Sequence, residues 1–313
     1  MAAGIIDRRG SVAVRTTRDR TVLRAFLERD RLFAAYALCD LEDREFGRTR
    51  WGIATAGDEI LAVGMEYSGP TPQPTFLLGQ ADGIGALLRD VVHPRVAYVS
   101  AASESLPAIA RHYRVESGPP MVRMWVDRAS FQPFPASVER LLPVEVNELN
   151  RLYQLGFASW LSSTAVAEGI YFGIRVNGRL VAAAGTHVVS RDARLAVVGN
   201  VLTHADHRGR GHAKAVTSAV TAELLRFCDE VVLNVRSDNP PAIAAYRHLG
   251  YLEHCRFEER LIRRTGSPLA DLTAPIRRLF AQRHAGDPVP AAPVTQAHPI
   301  DPPADAGPTE EPS

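Results

Sequence analysis

Much of what this chain lacks narrows its function. Lysine is nearly absent: Lys214 stands alone, and arginine supplies the rest of 36 basic residues against 35 acidic ones. A formal net charge of +1 gives no bulk attraction for nucleic acid or an anionic membrane, and neither half carries a basic stripe interleaved with aromatics. Cysteine is scarce. Cys39, Cys228 and Cys255 are odd in number and widely spaced, with no CxxC pair, which excludes a disulfide framework and leaves small buried apolar residues in a reducing compartment. No apolar run approaches the ~18 residues of a spanning helix. Met1–Gly10 has no apolar segment of the secretory kind, so the expectation is a cytoplasmic protein. What is present, 46% hydrophobic and 23% charged residues, is the composition of a globular chain with a sizeable core. Its 313 residues fit about two domains at roughly 100–200 residues each.

The first half predicts α, β, β, β, α, β, α, β. Apolar residues recur at three- and four-residue steps from Asp19 to Phe46 (Val22, Leu23, Phe26, Leu27, then Leu32, Phe33, Tyr36, Ala37), with a break near Asp30. Trp51–Thr55, Ile60–Tyr67, Thr75–Leu78, Val96–Ser100 and Met121–Val126 read as strands. Ala81–Val92 and Leu106–Tyr113 read as helices. Phe131-Gln-Pro-Phe-Pro135 reads as a linker.

The second half predicts the same cycle. An amphipathic helix from Val144 to about Phe157 and a short helix ending near Glu168-Gly169 lead to strands Ile170–Val176 and Leu180–Val189, joined by the hairpin dipeptide Asn177-Gly178. Leu195–Thr203 is a mostly apolar, central strand. Gly211–Cys228 is a helix, Val231–Val235 a strand, Asn239–Leu249 a helix, and Leu252–Ile262 supplies the last strands. The boundaries are therefore 11–130, 135–264, a C-terminal helix at 269–284, and a Pro/Ala-rich disordered tail at 286–313. The fold class is mixed α/β, a mostly antiparallel sheet flanked by helices, built as two tandem domains.

The stretch from Val197 to Ala213 carries the chemistry. A strand runs through a polar turn into Arg208-Gly-Arg-Gly-His-Ala213, which opens a long helix. Glycines let backbone approach a ligand, and the unpaired N–H groups and dipole of a helix N-terminus favour phosphate oxygens. His204, His207 and His212 have no standard zinc spacing and no Cys or Glu beside them, so no metal is expected.

Here the residues become specific. Arg208, Gly211 and Ala213 match Arg/Gln-x-x-Gly-x-Gly/Ala, and Asn239-Pro-Pro-Ala242-Ile-Ala-Ala-Tyr246-Arg-His-Leu-Gly250-Tyr251 resembles Asn-x-x-Ala-x-x-x-Tyr-x-x-x-Gly-Phe. In register, these two motifs resemble the GNAT N-acetyltransferases over about Pro135 to Arg264. Ala205 departs from the pattern, where many members have proline. The resemblance implies acetyl-CoA as acyl donor. Its pyrophosphate would lie on backbone N–H groups of Arg208, Gly209, Arg210, Gly211, His212 and Ala213. Its pantetheine arm would pair with Val201, Leu202 and Thr203 and touch Asn239, and Tyr246 would protonate the departing thiolate. Asn239 before Pro240 also fits a helix N-cap.

Acyl transfer from a thioester to an amine needs a donor for the oxyanion, a route for the amine's proton, and a proton for sulfur. A strand N–H at Val201 can serve the first and Tyr246 the third. Glu168 and His187 are the candidates for the amine-side base, with a water chain as the alternative. No cysteine lies in either motif, so attack is direct, in a ternary complex. The acceptor is a small-molecule amine or a protein or peptide amine. The rival reading is a non-catalytic acyl-CoA-binding regulator.

The first half reads as a degenerate copy. Gln80-Ala-Asp-Gly83-Ile-Gly85 fits Gln-x-x-Gly-x-Gly, and Pro107-Ala-Ile-Ala110 repeats Pro241-Ala-Ile-Ala244, which sets Ser105 against Asn239 and His112 against Tyr246. Without the Arg and the Tyr, this half is expected to shape the substrate cleft rather than bind a second CoA.

Overall fold

The computed structural model describes residues 12–68, 72–154 and 161–265. The first half opens with strand β1 (Ala13–Thr17) and helices α1 (Arg20–Leu27), α2 (Ala35–Cys39) and α3 (Asp43–Phe46). The Asp19 carboxylate caps α1 by accepting from the N–H groups of Thr21 and Val22, and the stripe Leu23, Phe26, Leu27 is buried. Strands β2 (Thr49–Ala56), β3 (Glu59–Tyr67) and β4 (Gln73–Gly79) form an antiparallel meander. Then come α4 (Ala81–Asp90), β5 (Val96–Ala102), α5 (Leu106–Ala110), β6 (Tyr113–Val115) and β7 (Met121–Asp127).

The second half follows the same order with two opening helices and no counterpart of β6: β8 (Glu139–Arg140), α6 (Val146–Tyr153), α7 (Ser163–Glu168), β9 (Tyr171–Val176), β10 (Arg179–Ser190), β11 (Leu195–Thr203), α8 (His212–Leu224), β12 (Glu230–Arg236), α9 (Pro240–His248) and β13 (Leu252–Arg264). Asn177 and Gly178 turn β9 into β10 with φ of 52° and 77°, as a two-residue hairpin requires.

These strands form one sheet in the order β1-β2-β3-β4-β5-β13-β7-β12-β11-β10-β9-β8, with β6 pairing on β13. Pairing is antiparallel except between β4 and β5 and between β11 and β12. The last strand of each half lies in the other half. β7 pairs with β12 and β13. β13 pairs with β7 through its first part and with β5 and β6 through its second. Its 13 residues make this double role feasible, at about 3.3 Å per residue.

The core follows the exchange. Leu23, Leu27 and Leu38 from the first-half helices pack in one cluster with Leu195, Val197 and Val232 of the second-half strands. Full burial of each such side chain contributes about 2 kcal/mol. Helix α2 thus lies on β10 and β11 of the other half. Arg123 on β7 is buried, donates to the Leu32 carbonyl at 3.0 Å and sits 4.8 Å over the Phe257 ring.

Several expectations need correction. Strands β1, β6 and β8 were not anticipated; β1 and β8 are largely exposed edge segments without an apolar face to signal them. The helix expected to run to Tyr113 stops at Ala110, and Tyr113 begins β6. The final strands are one strand. The Gln80–Gly85 match is not a phosphate loop, because Gln80 is the N-cap of α4 and Gly83 and Gly85 lie inside the helix. A Cβ on Gly83 would stand 2.8 Å from the Ala62 Cβ, so that glycine serves close packing of α4 on β3. His112 falls beyond the end of α5 and does not take the place that Tyr246 has in α9. The expected helix at 269–284 and the tail at 286–313 lie outside the described residues.

Candidate active site

Strands β11 and β12 run parallel only from Leu195/Glu230 to Val198/Leu233. The cause is on the other side of β11. Asn200 takes φ 52°, which asparagine tolerates better than most residues, and the register with β10 slips between Gly185/Gly199 and Ala183/Leu202. The extra residue is a bulge that bends β11 away from its parallel neighbour. A cleft of about 730 Å³ opens there, with Val201, Leu202 and Thr203 on one wall, Leu233 to Arg236 on the other, and Asn239 and Tyr246 along it.

The turn after β11 delivers the chain to α8. Gly209 and Gly211 take φ of 75° and 80°, a region closed to most side chains, and a Cβ on Gly209 would meet nothing. Gly211 caps α8 without a side chain, and the first turn holds no acid. The opening N–H groups of this 13-residue helix therefore face the mouth of the cleft with the positive end of the dipole. Arg208 donates from Nε to the Thr203 carbonyl at 3.3 Å. His207 Nδ1 and His212 Nε2 are buried without a partner among the described residues. Burial, then His207 and Arg210, lowers the His212 pKa. Spare donors around an uncapped helix N-terminus fit a pyrophosphate. Arg208, Gly209, Gly211, His212 and Ala213 line the cleft, whereas Arg210 is exposed beside it.

Asn239 accepts from the Ala242 N–H at 3.3 Å and so caps α9, with Pro240 in the first turn. Tyr246, seven residues on, is buried and lines the cleft. Burial pushes its phenol up to about 12.

The region beside the cleft joins both halves. His187 on β10 is buried; Tyr36 on α2 lies 2.7 Å from its Nδ1, and Asn200 Oδ1 lies 3.0 Å from its Nε2. An acceptor oxygen at Nε2 places the proton there, so Tyr36 donates to Nδ1. Gly199 makes room for this ring, since a Cβ would stand 2.2 Å from His187 Nε2. Glu168, at the end of α7, is half-exposed and ion-paired with Arg44 of α3. His187, Asn200 and Glu168 line a second cavity of about 190 Å³, whose far wall is Cys39, Asp40, Glu42, Arg44 and Glu45 of the first half. The first half thus supplies a wall of the cavity that adjoins the cleft.

Sequence reading missed Tyr36 and Asn200. Tyr36 was placed on an apolar helical stripe, where nothing distinguishes a core aromatic from one whose hydroxyl reaches another half. Asn200 left a signal: Gly199-Asn200 interrupts an otherwise apolar strand, as a bulge does. Among the described residues no group of three or more His, Cys, Asp or Glu could hold a metal. No described helix is long and apolar enough to cross a membrane.

A meander, a strand pair that parts, and a helix whose N-terminus faces the gap define the GNAT fold, and solved structures share it. A GCN5-related N-acetyltransferase from Sphaerobacter thermophilus is 18% identical over 82% of this chain and 97% of its own, with a TM-score of 0.57. A GNAT-family acetyltransferase from Colwellia psychrerythraea is 12% identical over 81% and 100%, at 0.50. A tandem GNAT protein from the clavulanic acid biosynthesis pathway is 15% identical over 82% and 99%, also at 0.50. At these identities the likeness is one of fold, and it extends to two GNAT-like domains in tandem. The sequence itself matches the model of the acetyltransferase (GNAT) family at residues 136–251. No curated protein sequence shows significant similarity to the chain.

Proposed function

We propose that the protein is an acyl-CoA-dependent N-acyltransferase that moves acetyl from acetyl-CoA to an amine by direct attack in a ternary complex. The observation that carries this reading is the cleft between the parted strands β11 and β12, which has an uncapped helix N-terminus at its mouth and a buried phenol along its wall. Backbone N–H groups from Arg208 to Ala213 hold the pyrophosphate. Val201 to Thr203 offer ladder groups to the pantetheine amides, as an added strand would, and Asn239 borders that arm.

Bound acetyl-CoA supplies an acyl group on a good leaving thiolate. The Val201 N–H is the donor for the carbonyl oxygen as it gains charge. Tyr246 holds a proton at every physiological pH, because its phenol sits at about 12. An exposed thiol has a pKa of about 8.5, but the same burial raises the basicity of a departing thiolate and narrows the gap. On the amine side, a proton can pass to the Tyr36 oxygen as the Tyr36 proton moves to His187 Nδ1 along their 2.7 Å contact. Glu168, held by Arg44, serves at the rim of the cavity.

Calorimetry with acetyl-CoA, joined to a mass-spectrometric screen of amine and peptide acceptors, tests the proposal. Tyr246→Phe is expected to lower kcat by roughly 100-fold with acetyl-CoA affinity unchanged. A full rate in that variant would remove the general-acid role. Tight CoA binding with no turnover on the panel would favour a non-catalytic acyl-CoA-binding regulator.

A further inference from the structure

The 190 Å³ cavity between the halves carries an uneven charge. Asp40, Glu42, Glu45 and Glu168 line it against the single guanidinium of Arg44, and that guanidinium is already paired with Glu168. Glu45 accepts from the Tyr67 hydroxyl. Asp40 differs. It is only 7% exposed, and its carboxylate has no hydrogen-bond or ion-pair partner among the described residues. Glu42 Oε1 is likewise buried and unpartnered. Burial, then Glu45, pushes the Asp40 acid up to about 8. An unpaired buried carboxylate is unfavourable, and a cation beside it relieves the cost. The cavity meets the cleft at His187 and Asn200, which line both.

We infer that this cavity is the acceptor subsite and that Asp40, with Glu42, selects amines carrying a second positive charge: short diamines and similar small dications. The reacting nitrogen lies toward His187 and Tyr36, and the second ammonium is held by the first half. A volume near 190 Å³ admits a small molecule rather than a folded partner. The cluster disfavours acceptors with a carboxylate or phosphate near the amine. This assignment rests on the acyltransferase reading for its chemistry, but its binding test does not.

The probe is 1,4-diaminobutane, titrated by calorimetry into the full chain with and without saturating CoA, beside butylamine and β-alanine. Wild type is expected to bind the diamine best and to release a proton as Asp40 ionises, seen as a heat that varies with buffer. Asp40→Asn, nearly isosteric, should weaken diamine binding about 30-fold and abolish that proton release, with acetyl-CoA affinity kept within about twofold. Gly211→Ala, which strains the left-handed turn that presents the N–H groups opening α8, should do the reverse. Glu42→Gln should weaken diamine binding by a smaller factor, which guards against a folding defect at Asp40. Equal affinity for diamine and monoamine, or diamine affinity unmoved by Asp40→Asn, would overturn the inference. Failure of acetyl-CoA to bind would overturn the acyltransferase reading instead.

Discussion

The two strand-to-helix junctions, β4 to α4 and β11 to α8, occupy equivalent positions and differ in nearly every physical respect. In the first half one residue, Gln80, separates strand from helix, Asp82 sits in the first turn, and both glycines lie inside α4, Gly83 packed against Ala62. In the second half the turn is long, its glycines are left-handed, and the first turn of α8 has no acid. The first junction uses Gly83 for packing, and the second uses its glycines to expose N–H groups. A Gly-x-Gly pattern after a strand therefore says little until the residue at which the helix starts is known.

The largest expected effect concerns whether the halves exist apart at all. Residues 1–130 and 131–313 produced separately should each lack cooperative unfolding, because β7 and β13 find partners only across the division. A sharp thermal transition in either piece would show that the exchange is dispensable. Next come the junction glycines. Gly83→Ala should cost about 1–3 kcal/mol of stability through overpacking, with acetyl-CoA affinity intact. Gly211→Ala should cost about 1–2 kcal/mol for its left-handed backbone and also weaken acetyl-CoA binding. Equal effects on affinity would erase the contrast.

Asp40 sharpens the comparison from the acceptor side. Its folded pKa of about 8 lies above the ~3.9 of an exposed aspartate, so the folded state holds the proton more tightly. The associated stability is complete below about pH 4 and is lost as pH rises through about 8. Asp40→Asn should accordingly stabilise the free protein by at least ~1 kcal/mol at pH 8 relative to its effect at pH 4. Denaturant melts at the two pH values decide it. The smallest effect is expected at the rim. Arg44→Ala breaks a half-exposed ion pair with Glu168 and should change stability by less than about 0.5 kcal/mol.

Local features were legible in the sequence. Asn239 as a cap, Asn177-Gly178 as a hairpin, and Leu195–Thr203 as a strand follow from short-range sterics and hydrogen bonding. The glycine turn before α8 was legible because two motifs stood in register. What was hidden depends on distant pairing. The exchange of β7 and β13 leaves no trace in periodicity, since an apolar strand reads the same whichever neighbour it takes. Asp40 was invisible for a related reason: its burial arises where α2 of one half covers β10 and β11 of the other. Gln80–Gly85 misled because the motif matched in letters while the helix began three residues earlier in the motif than α8 does, too early for a loop.

The strand exchange also dictates an order of events during synthesis. When the ribosome has delivered the first half, β5 has a bare edge and β7 has no neighbour. β7 gains its first neighbour when β12 (Glu230–Arg236) has been made, but the edge of β5 and the second edge of β7 stay bare until the chain reaches Leu252–Arg264. The wall carrying Asp40 and the cleft carrying Tyr246 therefore reach their final geometry together, once β13 has been made. A chain truncated before β13 would lose both rather than keep one of them.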